Sequence, residues 1–268
     1  MKTTLSVVLA THNEEKNLPD CLESVKDLAD EICIVDGTST DKTVEIAKKY
    51  GAKVLVTDNP LVFHINKQKA IDMAAKDWVL QLDADERVTP ELAGEIKKVI
   101  AESSRDSHIA NVVSQDNKKI NGYWIPRKNW FLGRYLMKGG VYPDYTLRLY
   151  KRGKGKLPQK DVHEQAVVEG KVGYLQQPLI HIADPDFGRY LKRFDRYTNL
   201  IVTQHAENHT GKNIFSLIKY TIVLPCYWFI LAYGRHKGFL DGWQGFVFAF
   251  FSAMRFPVGY VKFLQKGK

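Results

Sequence analysis

Strand and helix patterns alternate along the first hundred residues of the chain. Residues 5–10 form a continuous apolar run rich in β-branched side chains, and similar runs follow at residues 31–37, 52–57 and 78–86. Segments with the apolar spacing of helices lie between and after them, at residues 11–30, 38–51, 65–77 and 89–100. Elements in this order form a mainly parallel sheet with helices on both faces, so an α/β fold is predicted.

Residues typical of helix ends support these boundaries. We expect Asn13 to cap the first helix, with Glu14 at its positive end. Gly51 occupies the stop position of the second helix. Thr89 and Pro90 are placed to start the fourth helix, as its cap and its first residue.

The alternation stops near residue 105, and the composition then changes twice. Residues 106–185 contain polar, loop-like stretches and short extended pieces, which we interpret as a mixed-sheet extension. A helix is predicted to begin near residue 186, and the chain beyond it is apolar and aromatic. We therefore predict a first domain at residues 1–185, divided at residue 105, and a helical region at residues 186–268.

Two C-terminal stretches, residues 213–233 and 239–263, are each about as long as a membrane span. Both are interrupted by charged residues or prolines: Lys219, Pro225, Asp241, Arg255 and Pro257. From His205 onward the chain carries eight Lys or Arg against two acids. This pattern favours helices that lie in the plane of a membrane surface over helices that cross the membrane. A buried helical subdomain or a dimer interface is the alternative.

The net charge of +9 suits nucleic acid, an anionic membrane or a phosphorylated substrate. The basic residues are mixed with apolar runs, which argues against the nucleic-acid alternative. The three cysteines, Cys21, Cys33 and Cys226, form no metal-binding or disulfide pattern, so a reducing cytoplasm is expected. The apolar run at residues 5–10 is too short for a signal peptide and is interpreted as the first strand.

Polar side chains follow three of the predicted strands. Thr11, Asn13 and Glu14 follow the first, Asp36 the second, and the sequence "DADE" ends the fourth. Ligands of open parallel sheets bind at the carboxyl ends of the strands, so these residues are expected to share one site. Each has a simpler alternative: a solvated turn for "DADE", a turn former for Asp36, and a first-turn helix acid for Glu14.

Asp83 and Asp85 are two residues apart, so an extended backbone places both carboxylates on one side. Two such carboxylates can hold Mg²⁺ or Mn²⁺, which take further oxygens from substrate phosphates. Backbone N–H groups at helix starts near Asn13 and Asp41 suit phosphates as well. Together these features predict a site for a metal-bound nucleotide diphosphate.

The segments "LSVVLATHNEEKNLPDCLESV", "IVDGTSTDKTVEIAKKYGAKV" and "DWVLQLDADERVTPEL", in that order, resemble family 2 glycosyltransferases with the GT-A fold. The resemblance is close over roughly the first hundred residues, and "YPDYTLRLYKRG" followed by "DVHE" extends it to about residue 165. This combination is similar to bacterial lipopolysaccharide core β-1,4-glucosyltransferases. Two departures stand out: His12 replaces a frequent Tyr or Phe, and "DGTSTD" replaces "DSGSTD".

The resemblance implies a role for each matching residue. Residues 1–105 would bind the nucleotide, and residues 106–185 the acceptor. The uridine of a UDP-sugar would be held by Thr11, Asn13, Glu14 and Asp36. Asp83 would contact the ribose or the metal, and Asp85 would hold Mg²⁺ or Mn²⁺ on the diphosphate. Lys67 and Gln68 fall where the family often contacts the donor, although a solvated helix face is equally compatible.

The implied reaction is an inverting transfer of a sugar, with glucose as the first candidate, to a lipid-linked glycan. Glu164 is the first choice for the base and Asp144 the second, with a turn residue after Pro143 as the simpler alternative for Asp144. His163 would complete the metal site or position Glu164. Arg148 would bind an acceptor phosphate or face solvent. The expected location is the cytoplasmic face of the inner membrane, peripheral or monotopic. Polyprenyl-phosphate glycosyltransferases, a nucleic-acid-binding protein and an inactive scaffold are the rivals, and the sequence predicts no oligomeric state.

Overall fold

The computed structural model describes residues 3–60, 62–105, 120–158 and 165–266. The chain forms two compact units. The first contains Met1–Arg127 and Tyr145–His181, and the second contains Lys128–Asp144 and Ile182–Lys268. Residues 128–144 therefore group with the C-terminal helices, whereas the functional division at residues 105 and 185 stays a prediction.

Strands in the described ranges are, in chain order, β1 (Leu5–Thr11), β2 (Glu31–Asp36), β3 (Lys53–Val56), β4 (Trp78–Leu82), β5 (Glu86–Val88), β6 (Ile120–Phe131), β7 (Arg134–Tyr135), β8 (Asp144–Lys151), β9 (Gly155–Lys156), β10 (Val167–Val168), β11 (Lys171–Tyr174) and β12 (Leu179–Asp184). Helices in the first unit are α1 (Leu18–Glu23), α2 (Thr43–Lys49), α3 (His64–Asp72) and α4 (Pro90–Arg105).

The main sheet has the strand order β3-β2-β1-β4-β8-β6-β12-β5. Strands β1 to β4 pair in parallel, whereas β8 joins β4 and β12 joins β5 antiparallel. This is the mainly parallel sheet with a mixed extension that the sequence predicts. The strand order reverses at β1, which places β1, β2 and β4 at the switch point where α/β sheets bind ligands.

Helices cover both faces of the parallel part because its strands are apolar on both sides. On one face, Val7, Leu9 and Leu80 are buried with residues of α1, α2 and α4. On the other face, Val8 and Val79 are buried with residues of α3. Successive strand residues point to opposite faces, so each face has its own core.

Helix α1 begins later than the sequence predicts. Asn13 lies in the left-handed region with φ 55°, and its side chain accepts a hydrogen bond from the Thr40 N–H, outside the helix. The helix begins at Leu18, and Asn17 precedes it. The predicted cap at Asn13 is therefore wrong. The stop at Gly51 (φ 73°) and the cap at Thr89, whose Oγ1 accepts from the Leu92 N–H, are confirmed.

The second unit contains three long helical segments. Helix α5 (Phe187–Glu207) begins where predicted, and the Asp186 side chain caps it by accepting from the Arg189 N–H. Helix α6 (Ile214–Arg235) follows, and helix α7 (Gly242–Gln265) is preceded by a 3₁₀ turn at Gly238–Asp241. By length and composition, Ile214–Arg235 and Gly238–Gln265 are apolar enough to cross a membrane.

Candidate active site

The acidic sequence after β4 forms a turn. The Glu86 N–H donates to the Asp83 carbonyl at 2.9 Å, and the Asp83 N–H donates to Glu86 Oε2 at 2.9 Å. The predicted strand at residues 78–86 therefore ends at Leu82. Glu86 begins β5, and β5 departs from β4 and pairs with β12. The prediction that an extended backbone places Asp83 and Asp85 on one side is wrong, and the two carboxylates contact different partners.

Asp83 is held by two cations. Its Oδ1 is ion-paired with Lys67 Nζ from α3, and its Oδ2 accepts from Arg148 Nη2 of β8 at 2.6 Å. Burial opposes ionisation of this carboxyl, but Arg148 and Lys67 hold its pKa well below the usual range. Both cationic side chains are about nine-tenths buried, so a solvent-facing position is wrong for Lys67 and for Arg148.

Glu86 extends this charge cluster into the core of the unit. Its side chain is fully buried, and Oε1 accepts from Arg148 at 2.9 Å and from Arg127 at 3.4 Å. We call Lys67, Asp83, Glu86, Arg127 and Arg148 the buried charge cluster. Glu86, Lys67 and Arg148 are the most deeply buried of the five, and charges so far from water are stable only when each has an opposite partner. The cluster fixes the backbone of the turn that carries Asp85.

Asp85 faces a histidine that the sequence analysis missed. Its Oδ2 lies 3.6 Å from Nε2 of His181, on β12, and both side chains are more than four-fifths buried. Residue 181 lies next to the turn because β12 pairs with β5 in the register His181 to Glu86. An antiparallel pairing between segments about ninety residues apart leaves no local sequence signal, so only the fold identifies this histidine.

The chemistry of this pair fits a divalent cation. A carboxylate oxygen and an imidazole nitrogen are donors that Mn²⁺ accepts, with substrate phosphate and water completing its shell. Among the described residues, no three His, Cys, Asp or Glu side chains are arranged to hold one metal ion together. His163, the predicted further ligand, lies outside the described residues.

Asp36 anchors the turn that follows β2. Its Oδ2 accepts from the Thr11 hydroxyl at 2.9 Å and from the Ser39 hydroxyl at 2.6 Å, and its Oδ1 accepts from the Ser39 N–H at 2.8 Å. The residue is fully buried. These bonds join the ends of β1 and β2, so Asp36 and Thr11 shape the rim of the predicted nucleotide pocket.

Three exposed residues complete this rim. His12 Nδ1 lies 2.7 Å from the Gly37 carbonyl, and its Nε2 lies 3.2 Å from the Asn13 side-chain nitrogen. A carbonyl only accepts, so Nδ1 carries the proton and Nε2 accepts from Asn13. Thr38, like Asn13, has a positive φ, of 56°. The glycine shift in "DGTSTD" therefore puts a β-branched residue where the backbone favours glycine.

The other predicted donor contacts also have partners inside the protein. Glu14 accepts from Asn17 Nδ2 at 2.8 Å, and its N–H donates to the Thr43 hydroxyl at 2.8 Å. Gln68 accepts from the Leu157 N–H at 2.8 Å and donates to Asp72 at 2.7 Å. The roles of these residues toward a donor stay predictions.

Of the two candidate bases, Asp144 is among the described residues and Glu164 is not. Asp144 is the first residue of β8, belongs to the second unit, and accepts from Asn129 Nδ2 at 3.0 Å. Glu164 lies outside the described residues. The choice between them stays open, and so does the acceptor role of Arg148.

Comparison with known proteins agrees with this geometry. The family model described as "Glycosyl transferase family 2" matches residues 6–166. A lipopolysaccharide core biosynthesis glycosyltransferase, LpsC of Rhizobium meliloti, is 29% identical over 95% of this chain and 92% of its own. A glycosyltransferase of Rickettsia typhi with no characterised activity is 27% identical over 91% of this chain and 80% of its own.

A solved structure shares the fold. The mannosyltransferase PcManGT of Pyrobaculum calidifontis, in complex with GDP-Man and Mn²⁺, matches 100% of this chain and 89% of its own. The TM-score is 0.53 at 13% identity, a likeness of fold alone. The family model covers more than half of the chain, and the sheet order and the acidic turn after β4 agree with it. This chain is therefore a family 2 glycosyltransferase with the GT-A fold.

Proposed function

We propose that the protein transfers a sugar, with glucose as the first candidate, from a UDP-sugar to a lipid-linked glycan such as the lipopolysaccharide core. The observation that carries this proposal is the Asp85–His181 pair at the carboxyl end of β4, beside the buried charge cluster. The name of the relative LpsC supports the class of acceptor. The structure of PcManGT, a relative in fold, contains a nucleotide sugar and Mn²⁺.

The diphosphate end of the donor is assigned to Asp85 and His181. These side chains would hold the cation, which when bound neutralises charge on the leaving diphosphate. An imidazole ligand favours Mn²⁺ over Mg²⁺, because Mg²⁺ prefers an all-oxygen shell. Asp83, already paired with Lys67 and Arg148, would accept a hydrogen bond from the ribose and keep the turn in place.

The nucleoside end is assigned to the rim formed by β1 and β2. Asn13 and His12 are exposed there, whereas Thr11 and Asp36 support them from below. Glu14, which follows β1, and Gln68, on α3, keep their predicted donor roles in this proposal.

The chemical step is a single displacement. A carboxylate, Glu164 or Asp144, accepts the proton of the acceptor hydroxyl. The hydroxyl oxygen bonds to the anomeric carbon as the bond from that carbon to the UDP oxygen breaks. One such attack inverts the configuration and converts an α-linked donor into a β-linked product.

The first experiment measures UDP release from a panel of UDP-sugars with Mg²⁺, Mn²⁺ or EDTA. We expect turnover of one sugar, fastest with Mn²⁺, and a loss on the order of 100-fold or more in Asp85→Ala. The matched control is Asp27→Ala, because Asp27 is an exposed acid that follows α1. No turnover and no UDP binding would contradict the proposal.

A second experiment separates the acceptor classes. The sugar named by the first experiment is offered with a truncated lipopolysaccharide core or with a polyprenyl phosphate. Transfer to the glycan supports the proposal. Transfer to the lipid phosphate alone would replace the glycan acceptor with its rival.

A further inference from the structure

Helices α6 and α7 expose a largely apolar face, which the exposed Lys219 interrupts on α6. On α6, Phe215 is 80% exposed and Ile230 is 66% exposed, and on the second helical segment Trp243 is 59% exposed. Further exposed apolar residues follow at helical spacing: Ile218, Ile222, Leu240, Phe246 and Phe250. Neighbouring exposed apolar side chains along two helices form a patch of the kind that marks a docking face on a protein surface. We call it the apolar face.

The side of α7 that faces away from this surface is covered by α5 and by the end of β6. Phe248 of α7 contacts Phe131 at the end of β6, with ring centroids 6.1 Å apart, and Phe251 contacts Tyr190 and Phe194 of α5 at 5.3 and 5.2 Å. Near the end of α7, Lys262 donates to Asp195 of α5 at 2.6 Å. Along most of its length, α7 therefore packs against a helix that carries exposed charges.

The turn between α6 and α7 is tied to the segment that follows β6. The buried carboxylate of Asp241 accepts from the Met137 and Lys138 N–H groups at 3.0 and 2.7 Å. The Gly139 N–H donates to the His236 carbonyl at 2.9 Å, and Arg134 donates to the Leu240 carbonyl at 3.2 Å. The turn therefore cannot separate from residues 132–143.

These ties exclude a membrane-spanning hairpin by chain length. Residues 132–143 join the end of β6 to the start of β8, which are neighbouring strands. Fully extended, these residues reach about 40 Å. Carrying the turn to the far side of a bilayer would require two crossings of a core about 30 Å thick, or about 60 Å of chain.

Charge placement agrees with this geometry. Arg255 lies in the middle of α7, above the rings of Trp228 and Phe256 at 4.8 Å each, and such a position in a spanning helix would put its charge near the bilayer centre. Exposed cations border the helix pair at its ends, at Lys212, Arg235, Lys237 and Lys266. Cations around an apolar face complement anionic lipid headgroups.

We propose that α6 and α7 lie side by side in the plane of one anionic leaflet, with the apolar face in the acyl region and both helix ends on the same side of the membrane. This inference deepens the proposed function, because it rests on a membrane-bound acceptor and states how the enzyme meets that membrane. The partner is a lipid surface and not a second copy of the chain, because the cations at the rim would repel their own copies across a symmetric interface.

The test is cysteine labelling in the full-length protein. Exposed Cys226 is first changed to Ser, and Lys212→Cys and Lys237→Cys are then made singly, at opposite ends of α6. A membrane-impermeant maleimide is applied to intact spheroplasts and to inverted inner-membrane vesicles. We expect both cysteines to be protected in spheroplasts and both to react in inverted vesicles. Labelling of Lys237→Cys from outside would overturn the in-plane arrangement.

Vesicle binding tests the apolar face itself. The double variant Ile230→Asp with Trp243→Asp is expected to bind phosphatidylglycerol-containing vesicles at least tenfold more weakly than the unmodified protein. Val167→Asp, a change at an equally exposed apolar residue on β10, is expected to bind normally. Equal binding by the double variant, or no binding by the unmodified protein, would overturn the proposal. UDP release measured in parallel without lipid reports separately on the proposed function.

Discussion

Charged side chains are buried in the interior of the first unit of this protein, whereas large apolar side chains are exposed on the surface of the second. Arg148 and Glu86 are 8% and 0% exposed, and Phe215 and Ile230 are 80% and 66% exposed. Each arrangement opposes the usual preference of its residue type for surface or core. Buried charges are retained where a site must be held in one geometry, and exposed apolar faces are retained where a partner covers them.

The comparison also separates two sources of stability. The first unit depends on charge pairs that must remain complete, because a lone buried charge is costly. The second depends on ring packing and on a few hydrogen bonds at its turn. Substitutions that remove one partner in each unit therefore test whether the two units are stabilised in these different ways.

Removal of Arg148 should have the largest effect. Arg148→Met leaves Asp83 without its guanidinium partner and Glu86 with the weaker contact to Arg127, so the free energy of unfolding should fall by about 3–5 kcal/mol. Urea denaturation measures the change. Arg152→Met, at an exposed arginine, is the control and should change stability by less than about 0.5 kcal/mol. Equal effects of the two substitutions would show that the ion pairs of Arg148 do not stabilise the fold.

Asp241 is the corresponding test in the second unit. Asp241→Ala removes the buried carboxylate that accepts from the Met137 and Lys138 N–H groups, and the loss of these two bonds should cost about 2–3 kcal/mol. Thermal unfolding followed by circular dichroism gives the change. Glu207→Ala, at an exposed acid at the end of α5, provides the baseline. An unchanged Tm in Asp241→Ala would mean that the turn is not anchored by this carboxylate.

Acid should destabilise the first unit through Glu31. Burial raises the pKa of this carboxyl, but hydrogen bonds from Lys53, Ser6 and the Ala75 N–H outweigh it and lower the pKa from 4.5 to about 2. A folded-state pKa below the unfolded value gives stability that is present above about pH 4.5 and is lost as the pH falls toward 2. Asp83 acts in the same direction.

The measurement is the urea midpoint between pH 7 and pH 2.5. Glu31→Gln should lower stability at pH 7 by about 2 kcal/mol and flatten the acid limb of the profile. Glu91→Gln, at an acid in the first turn of α4, serves as the control. A Glu31→Gln profile parallel to that of the unmodified protein would refute the assignment.

The smallest predicted effect is a gain at the nucleotide rim. Thr38 has a φ of 56°, so Thr38→Gly removes backbone strain and should raise the free energy of unfolding by about 1 kcal/mol. Thr40→Gly, two residues later, lacks a positive φ to relieve and should lower stability by about 0.5–1 kcal/mol. The same sign for both substitutions would contradict the strain argument.

The sequence predicts the fold well because the determining pattern is local. The alternation of apolar runs and helical spacing identifies β1 to β4 and the helices between them in the correct order, although α1, α3 and β4 end about four to seven residues earlier than predicted. It misplaces the start of α1, because Asn13 bonds to the β2–α2 turn, and that contact belongs to the tertiary structure.

The candidate site is predicted less completely, for the same reason. Asp83, Asp85 and Asp36 lie at the carboxyl ends of predicted strands, and the rule that parallel sheets bind ligands there is sufficient to identify them. His181, Glu86 and the pairing of Arg148 depend on β8, β12 and β5 coming together, and no local spacing encodes those pairings. The sequence therefore does not reveal the contacts of the site that depend on long-range antiparallel pairing.

Electron paramagnetic resonance of Mn²⁺ in the presence of UDP measures whether the Asp85–His181 pair holds the metal. The unmodified protein should bind one Mn²⁺, and Asp85→Asn and His181→Ala should each weaken binding at least tenfold, while the exposed-site control Asp27→Asn binds normally. Such a result would establish that the pair formed by the acidic turn and β12 holds the metal–diphosphate. Mn²⁺ binding that is unchanged in both site variants would contradict the central claim.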